Sequence, residues 1–126
     1  MVMTDTIADL LTRIRNANVM KYDEVCVPCS NLKIRMLEVL KKEGFITNFI
    51  IDKKLKKIFI YLKYNKETKE SVIKGLKRVS KYVSVQKIPK VRNGFGIALI
   101  STSRGILTDY EASSLNIGGH VLAYIW

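Results

Sequence analysis

Two segments in the first half of the chain carry hydrophobic residues at the spacing of an amphipathic helix. The first has apolar residues at Ile7, Leu10, Leu11, Ile14 and Ala17. The second has them at Leu32, Ile34, Met36, Leu37 and Leu40. Thr4 or Asp5 is placed to cap the first helix and Ser30 to cap the second, which we expect to end at Gly44.

A different pattern surrounds and follows these helices. A short extended piece over 25–27 separates them, and two β-rich runs follow at 45–51 and 58–64. The runs are joined by the sequence DKKLKK at 52–57, which predicts a hairpin with a basic tip. The order α-β-α-β-β therefore predicts a small α/β module over residues 1–65, and the polar stretch 65–70 is the predicted linker.

The second predicted module, residues 66–126, is mainly β with one short helix. The segment 72–79 fits a helix or a strand equally, because Gly75 and the β-branched residues oppose its helical spacing. We expect extended chain over 82–88, a turn at 93–96, a buried strand over 97–100 and a last strand over 120–126. Thr108 and Glu111 form a capping box for a helix over 109–114. The predicted fold class is α+β.

Composition adds a strong preference for a polyanionic partner. The 126 residues include 22 Lys plus Arg against 11 Asp plus Glu, a net charge of +11. Residues 71–107 contain no acid but eight basic residues, which favours a phosphate-binding surface over an ordinary solvated face. No segment has 18 consecutive apolar residues, and the N-terminus resembles neither a signal nor a transit peptide. We expect no membrane partner and a protein that works where it is made.

The residues that catalysis requires are scarce, so we predict that the chain is not an enzyme and has no catalytic residue. The single histidine, His120, cannot complete a zinc site with Cys26 and Cys29. Gly94-Phe95-Gly96 is half of a dinucleotide-binding motif, and no P-loop is present. We therefore expect neither metal nor cofactor, and two reduced cysteines near a core.

The most unusual local sequence is Ser101-Thr102-Ser103-Arg104-Gly105, a polar turn after a strand. Hydroxyls suit base edges, 2′-hydroxyls and phosphates, and Arg104 can hold a phosphate. An ordinary turn with self-satisfied hydroxyls is the equal alternative. Tyr82, amid basic residues, can stack on an unpaired base or pack in the core.

Several motifs resemble the ribosomal protein S8 family of the small subunit, in its bacterial and organellar form. The match runs in register over essentially the whole chain. It includes the opening 4–17 (TDTIADLLTRIRNA), 42–45 (KEGF), 78–80 (RVS), 88–91 (IPKV), 93–96 (NGFG), 100–105 (ISTSRG), 107–109 (LTD), 111–112 (EA) and 118–119 (GG). The opening and the S-T-S-x-G string are the specific ones.

The resemblance implies a structural component of the small ribosomal subunit. Such a protein is a primary binder of the central domain of small-subunit rRNA and supports subunit assembly during translation. Its implied partners are that rRNA and neighbouring small-subunit proteins. Its own messenger RNA is a further candidate, since some members regulate theirs. In the family the S-T-S-x-G turn enters the RNA minor groove at an irregular helix.

The resemblance carries this role residue by residue onto the present chain. It implies RNA contacts by the turn 101–105 and by the nearby Tyr82, and a second rRNA contact by a face around Arg13. The full predicted RNA-binding set is Ser101, Thr102, Ser103, Arg104, Gly105, Tyr82, Lys87, Lys90, Arg13, Arg15, Asn16, Thr4, Asp5, Gly119 and His120.

This sequence departs from the family at three places. Thr6 replaces a usual proline, a Pro-Gly-Leu-Arg stretch after Lys81 is missing, and His120 stands where the family usually has glutamate. The ending Ala-Tyr-Ile-Trp126 resembles plastid members, and the N-terminus lacks the layout of a transit peptide. We therefore expect a plastid-encoded protein of the chloroplast stroma, with the bacterial cytoplasm as the alternative.

Two hypotheses from other classes compete with this one. A DNA-binding regulator would use the first two helices as a helix-turn-helix, but the gap from Val19 to Ser30 is too long for the required turn. A small redox enzyme would use Cys26 and Cys29, and unchanged function after replacing both with Ser would exclude it.

Overall fold

A computed structural model describes residues 5–91 and 96–126. The chain divides into two compact units, the first ending at Ile73 and the second beginning at Lys74. None of the helices in these described ranges combines the length and apolarity needed to cross a bilayer.

The first unit has the predicted element order. It contains α1 (Thr6–Val19), β1 (Glu24–Pro28), α2 (Asn31–Lys42), β2 (Ile46–Asp52) and β3 (Lys57–Leu62). The three strands form an antiparallel sheet in the order β1-β3-β2. Because β1 lies between the two helices in sequence, they are not joined by the short turn of a helix-turn-helix.

Side-chain caps explain where the helices begin. The Asp5 carboxylate accepts hydrogen bonds from the backbone amides of Ile7 and Ala8, at 3.1 and 3.0 Å. Thr4, the other candidate cap, lies outside the described residues. Ser30 Oγ accepts from the Lys33 amide at 3.3 Å, as predicted. Gly44, with φ of +82°, lies just beyond the end of α2.

The core of the first unit is formed by the predicted apolar faces of the two helices together with buried residues of β2 and β3. Its fully buried large side chains are Leu10, Leu11, Ile14, Met36, Leu37, Leu40, Ile46, Ile58 and Ile60. Each such side chain stabilises the fold by about 1.5–3 kcal/mol relative to its exposed state. Ile34, in the same apolar series, is only half-buried.

The predicted linker, 65–70, folds back on the end of β3. Asn65 Oδ1 accepts from the amides of Glu67 and Thr68. Tyr64 forms an isolated β-bridge with Ser71. The Val72 amide donates to the Lys63 carbonyl at 3.1 Å. These contacts hold the segment within the first unit, so the division between units falls after Ile73.

The second unit is a four-stranded antiparallel sheet with one short helix, as predicted. It contains β4 (Leu76–Val83), β5 (Ile97–Thr102), β6 (Gly105–Thr108), α3 (Asp109–Ser114) and β7 (Gly119–Ile125). The sheet order is β4-β7-β5-β6. Thr108 Oγ1 accepts from the Glu111 amide at 3.2 Å, which confirms the predicted cap of α3. The core includes Val91, Ala98, Ile100, Ala112 and Val121.

Three predictions for the second unit were undecided, partly wrong or outside the described residues. The undecided segment 72–79 contributes to a strand, β4, and not to a helix. The prediction of extended chain over 82–88 is wrong beyond Val83, because Val85–Lys87 forms one turn of 3-10 helix. Val83 pairs with Gly119, the first residue of β7, so the chain has no further partner strand after that point. The predicted turn at 93–96 lies outside the described residues except for Gly96.

Candidate nucleic-acid interface

The polar string 101–105 forms the end of the β5–β6 hairpin. Thr102 pairs with Gly105, which leaves Ser103 and Arg104 as the two turn residues. Gly105 has φ of +99°, a conformation that favours glycine. No heavy atom lies within 4 Å of the place where a Cβ would be. The glycine is therefore required by the backbone of the turn and not by crowding.

Thr102 uses its hydroxyl to fix this turn. Its Oγ1 donates to the Gly105 carbonyl at 2.8 Å and accepts from the Arg104 amide at 3.1 Å. The hydroxyls of Ser101 and Ser103 have no such partner among the described residues, and Ser103 and Arg104 are exposed. Of the two alternatives left open by the sequence, the self-satisfied hydroxyl describes Thr102, and the available hydroxyl describes Ser103.

A row of cross-strand partners extends from this hairpin across the sheet. Ser101 on β5 pairs with His120 on β7, and His120 pairs with Tyr82 on β4. Directly paired residues project to the same face of an antiparallel sheet. Tyr82 is 82% exposed, which excludes the core-packing alternative for this residue. The row therefore places an aromatic ring, an imidazole and a hydroxyl side by side on one face.

Two contacts hold His120 within that row. The imidazole stacks on the Tyr82 ring with centroids 4.5 Å apart and an interplanar angle of 16°. His120 Nε2 also lies 3.0 Å from Ser80 Oγ, a hydrogen bond whose direction depends on the imidazole tautomer. His120 is therefore held by neighbours on β4.

Gly119 allows β7 to approach β5 closely beside the row. A Cβ on Gly119 would lie 2.3 Å from the Ser101 carbonyl oxygen and 3.0 Å from Ile100 Cγ2. Real Cβ atoms essentially never come within 3.0 Å of another heavy atom. The sequence placed Gly119 among the RNA contacts, and the structure gives it a packing reason to be glycine.

The basic residues of this unit divide into two groups. Arg78 directs its guanidinium at the carbonyl oxygens of Val79 and Leu122, so it contributes to the fold. Exposed lysines of the same unit are Lys74, Lys77, Lys81, Lys87 and Lys90. Arg92 lies outside the described residues. The positive charge predicted for 71–107 is thus presented mainly by lysines.

The predicted residues of the first unit lie on or before α1. Arg13, Arg15 and Asn16 are exposed, as expected for the polar face. Arg13 forms an ion pair with Asp9 at 3.0 Å, and its Nη1 donates to the Cys26 carbonyl at 3.4 Å. The Asp5 carboxylate caps α1, which is a structural role. Thr4, the remaining member, lies outside the described residues.

Two titratable groups of the first unit are shifted by their surroundings. Burial lowers the pKa of the Lys33 ammonium, partly opposed by Asp9. The Lys33 Nζ donates to the Pro28 carbonyl at 3.2 Å. Burial, and after it the negative charge of Asp23, raises the pKa of the Tyr64 hydroxyl. Sequence reasoning missed Lys33, because the charged groups that influence it, Asp9 and Arg13, are distant in sequence.

Neither cysteine has formed a disulfide, and both are half-buried. In the ranges that the structure describes, no three His, Cys, Asp or Glu residues are grouped so as to hold a metal ion.

Comparisons with known proteins agree over the full chain. A family model described as ribosomal protein S8 matches residues 5–126. The chain is 60% identical over 131 residues to the small ribosomal subunit protein uS8 of Aster yellows witches'-broom phytoplasma. It is 57% identical over 132 residues to that of Acholeplasma laidlawii and 53% identical over 133 residues to that of Lactobacillus helveticus. In each case the match covers the whole of both chains.

Proposed function

The chain belongs to the ribosomal protein S8 family and is a structural ribosomal protein, not an enzyme, and from this premise we propose that it binds the central domain of small-subunit rRNA. In this proposal it is a primary rRNA binder that supports assembly of the subunit beside other small-subunit proteins. The β5–β6 hairpin makes the specific contact. The exposed lysines add affinity that depends on salt.

The proposal is supported by the different roles of neighbouring side chains in the hairpin turn. Thr102 uses its hydroxyl to fix the turn. The side chains of Ser103 and Arg104 project from the turn and have no partner among the described residues. The deep major groove of an RNA helix is closed to side chains, so proteins recognise shape, 2′-hydroxyls and unstacked bases. A narrow, rigid turn with a free hydroxyl and a guanidinium has the chemistry for that task.

The row of Tyr82, His120 and Ser101 supports the same assignment. An exposed tyrosine offers a face on which an unpaired base can stack. Ser101 and His120 add hydrogen-bonding groups on the same face of the sheet. We therefore assign base stacking to Tyr82 and 2′-hydroxyl or base-edge contacts to Ser101 and Ser103.

For the compartment, we favour the bacterial cytoplasm, the alternative raised by the sequence. The relatives named above come from a phytoplasma, an acholeplasma and a lactobacillus, all of which are bacteria. They give no support to the plastid interpretation. The chain's own messenger RNA stays a predicted further partner, which would have to present a similar irregular helix to the same hairpin.

Binding to the cognate rRNA helix tests the proposal. Purified full-length protein is titrated with the central-domain helix of its own small-subunit rRNA, with duplex DNA and an unrelated RNA hairpin as competitors at near-physiological salt. The proposal predicts strong preference for the cognate helix. Equal binding to all three would contradict it, because the charge alone would then explain the affinity.

A further inference from the structure

The turn between β2 and β3 is the most concentrated positive patch of the first unit. Residues 52–57, which we call the lysine turn, have the sequence DKKLKK. Its four lysines, Lys53, Lys54, Lys56 and Lys57, are all exposed. Four lysines against one aspartate leave a net charge of +3 over six residues.

Hydrogen bonds to backbone amides and to a backbone carbonyl fix the conformation of the lysine turn. Asp52 Oδ1 accepts from the amides of Lys54 and Leu55, at 3.0 and 3.1 Å. Lys56 has φ of +53°, and its carbonyl accepts from the Cys29 amide at 2.9 Å. The turn is thereby held against the chain just before α2. A binding surface that is already ordered loses less conformational entropy when it binds its partner.

The lysines of this turn have no acidic partner in the part of the chain that the structure describes. No ion pair there involves any of the four ammonium groups. The single carboxylate of the turn, that of Asp52, already accepts two backbone amides. A fixed turn with a net charge of +3 is a surface suited to a polyanion.

We propose that the lysine turn is a further RNA-binding element, distinct from the hairpin and from the predicted face around Arg13, which contacts the phosphate backbone without reading sequence. The inference rests on the proposed function for its choice of RNA as the polyanion. Lysine is a point charge that binds phosphates, and phosphate contacts carry no base information. Three exposed apolar side chains lie in the turn or just before it, Ile50, Ile51 and Leu55, and the turn has no aromatic residue. Insertion into a lipid surface needs a wider apolar face.

This proposal separates affinity from selectivity. The lysine turn belongs to the first unit and the Ser101–Gly105 hairpin to the second. Each lysine–phosphate contact releases counterions and steepens the dependence of the logarithm of the binding constant on the logarithm of salt concentration by about 0.7–0.9. Removing the lysines should therefore weaken binding to every RNA and flatten the salt dependence, while preference for the cognate helix stays.

The test compares two full-length variants of equal net charge. The first is K53Q/K54Q/K56Q/K57Q. The second replaces four exposed lysines elsewhere in the first unit, K41Q/K63Q/K66Q/K69Q. Both are titrated with the complete central domain of small-subunit rRNA from about 50 to 200 mM salt, where binding is most sensitive to lost phosphate contacts. Thermal unfolding of both variants establishes that each is folded.

We expect the lysine-turn variant to bind about tenfold more weakly than the control variant near physiological salt, with a salt slope shallower by at least about one. Equal affinity and equal slope for the two variants would overturn the proposal. If the lysine-turn variant lost binding to anionic phospholipid vesicles while its RNA binding stayed unchanged, the proposal would be overturned in favour of a membrane surface. Failure of the proposed function would look different, because the parent protein would then lack preference for the cognate helix.

Discussion

The Tyr82 ring stacks on the His120 imidazole, with centroids 4.5 Å apart and planes inclined by 16°. The two residues are cross-strand partners on β4 and β7. His120 is held in turn by Ser80, at 3.0 Å between Nε2 and Oγ. The stack therefore presents the tyrosine as a supported platform beside the Ser101–Gly105 hairpin, and not as an isolated mobile ring.

Removing the Tyr82 ring should weaken RNA binding far more than it weakens the fold. Stacking of a base on an aromatic side chain contributes about 1–3 kcal/mol, so Tyr82→Ala should raise the dissociation constant for the cognate helix by roughly 5- to 150-fold. The free energy of unfolding should fall by less than about 1.5 kcal/mol, the upper worth of an aromatic pair. Titration and urea unfolding measure the two effects, and Tyr82→Phe is the matched control. Equal binding by the Ala variant and the parent would contradict the base-stacking role assigned to Tyr82.

Adjacent hydroxyls in the hairpin turn should respond oppositely to substitution. Ser103→Ala should weaken cognate binding and leave stability unchanged, because Ser103 is exposed and makes no internal hydrogen bond among the described residues. Thr102→Val should lower the free energy of unfolding by about 1–3 kcal/mol, because it removes two hydrogen bonds of the turn. Ser114→Ala, at another exposed serine, is the control. A destabilised Ser103→Ala variant with normal binding would reverse the assigned roles.

A methyl group at Gly119 should disturb the sheet at the row of exposed side chains. The added Cβ meets the Ser101 carbonyl oxygen at 2.3 Å, so the strands must separate or shift. We expect Gly119→Ala to lower the free energy of unfolding by about 1–3 kcal/mol, as overpacking usually does. Chemical denaturation measures this. A variant with parental stability would mean that the two strands approach less closely than described.

The Tyr64 hydroxyl makes stability of the first unit depend on pH in the alkaline range. It donates to the Tyr22 carbonyl at 2.6 Å, and burial raises its pKa above the ordinary value of 10.0. A group whose pKa is raised by folding gives stability that is full below the unfolded pKa and lost as pH rises through the folded pKa. Tyr64→Phe should therefore cost about 1 kcal/mol near pH 8.

The cost of Tyr64→Phe should shrink as the pH rises above 10. Denaturant unfolding of parent and variant at matched pH isolates this residue, because the other titrating groups are common to both proteins. A difference between the two proteins that stays constant from pH 8 to pH 11 would show that the hydroxyl does not titrate with a raised pKa in the folded state.

Local patterns predicted much of the fold because they depend on near neighbours in sequence. The apolar spacing of α1, its cap at Asp5 and the Thr108–Glu111 cap of α3 are all set within four residues. The β2–β3 hairpin follows from two β-rich runs and a polar turn. These elements were found where the sequence placed them, to within one or two residues at their ends.

The remaining features depend on partners distant in sequence. Val83 ends β4 because its partner strand begins at Gly119, which no local pattern reveals. The four-residue strand β6 gave too short a run to predict. Likewise, the hydroxyls of Thr102 and Ser103 are indistinguishable in the sequence, and only the folded turn assigns one to structure and leaves the other available.

A cleavage reagent tethered at Ser103 shows whether the Ser101–Gly105 hairpin faces rRNA. In a background with Cys26→Ser and Cys29→Ser, Ser103→Cys carries an iron chelate that generates hydroxyl radicals next to the turn. Lys77→Cys, also exposed and five residues from Tyr82 along β4, is the control. We expect cleavage of the RNA strand from position 103 to be confined to the cognate central-domain helix, and far weaker cleavage of that helix from position 77. An uncut helix with the probe at 103, or equal cutting from both positions, would contradict this expectation.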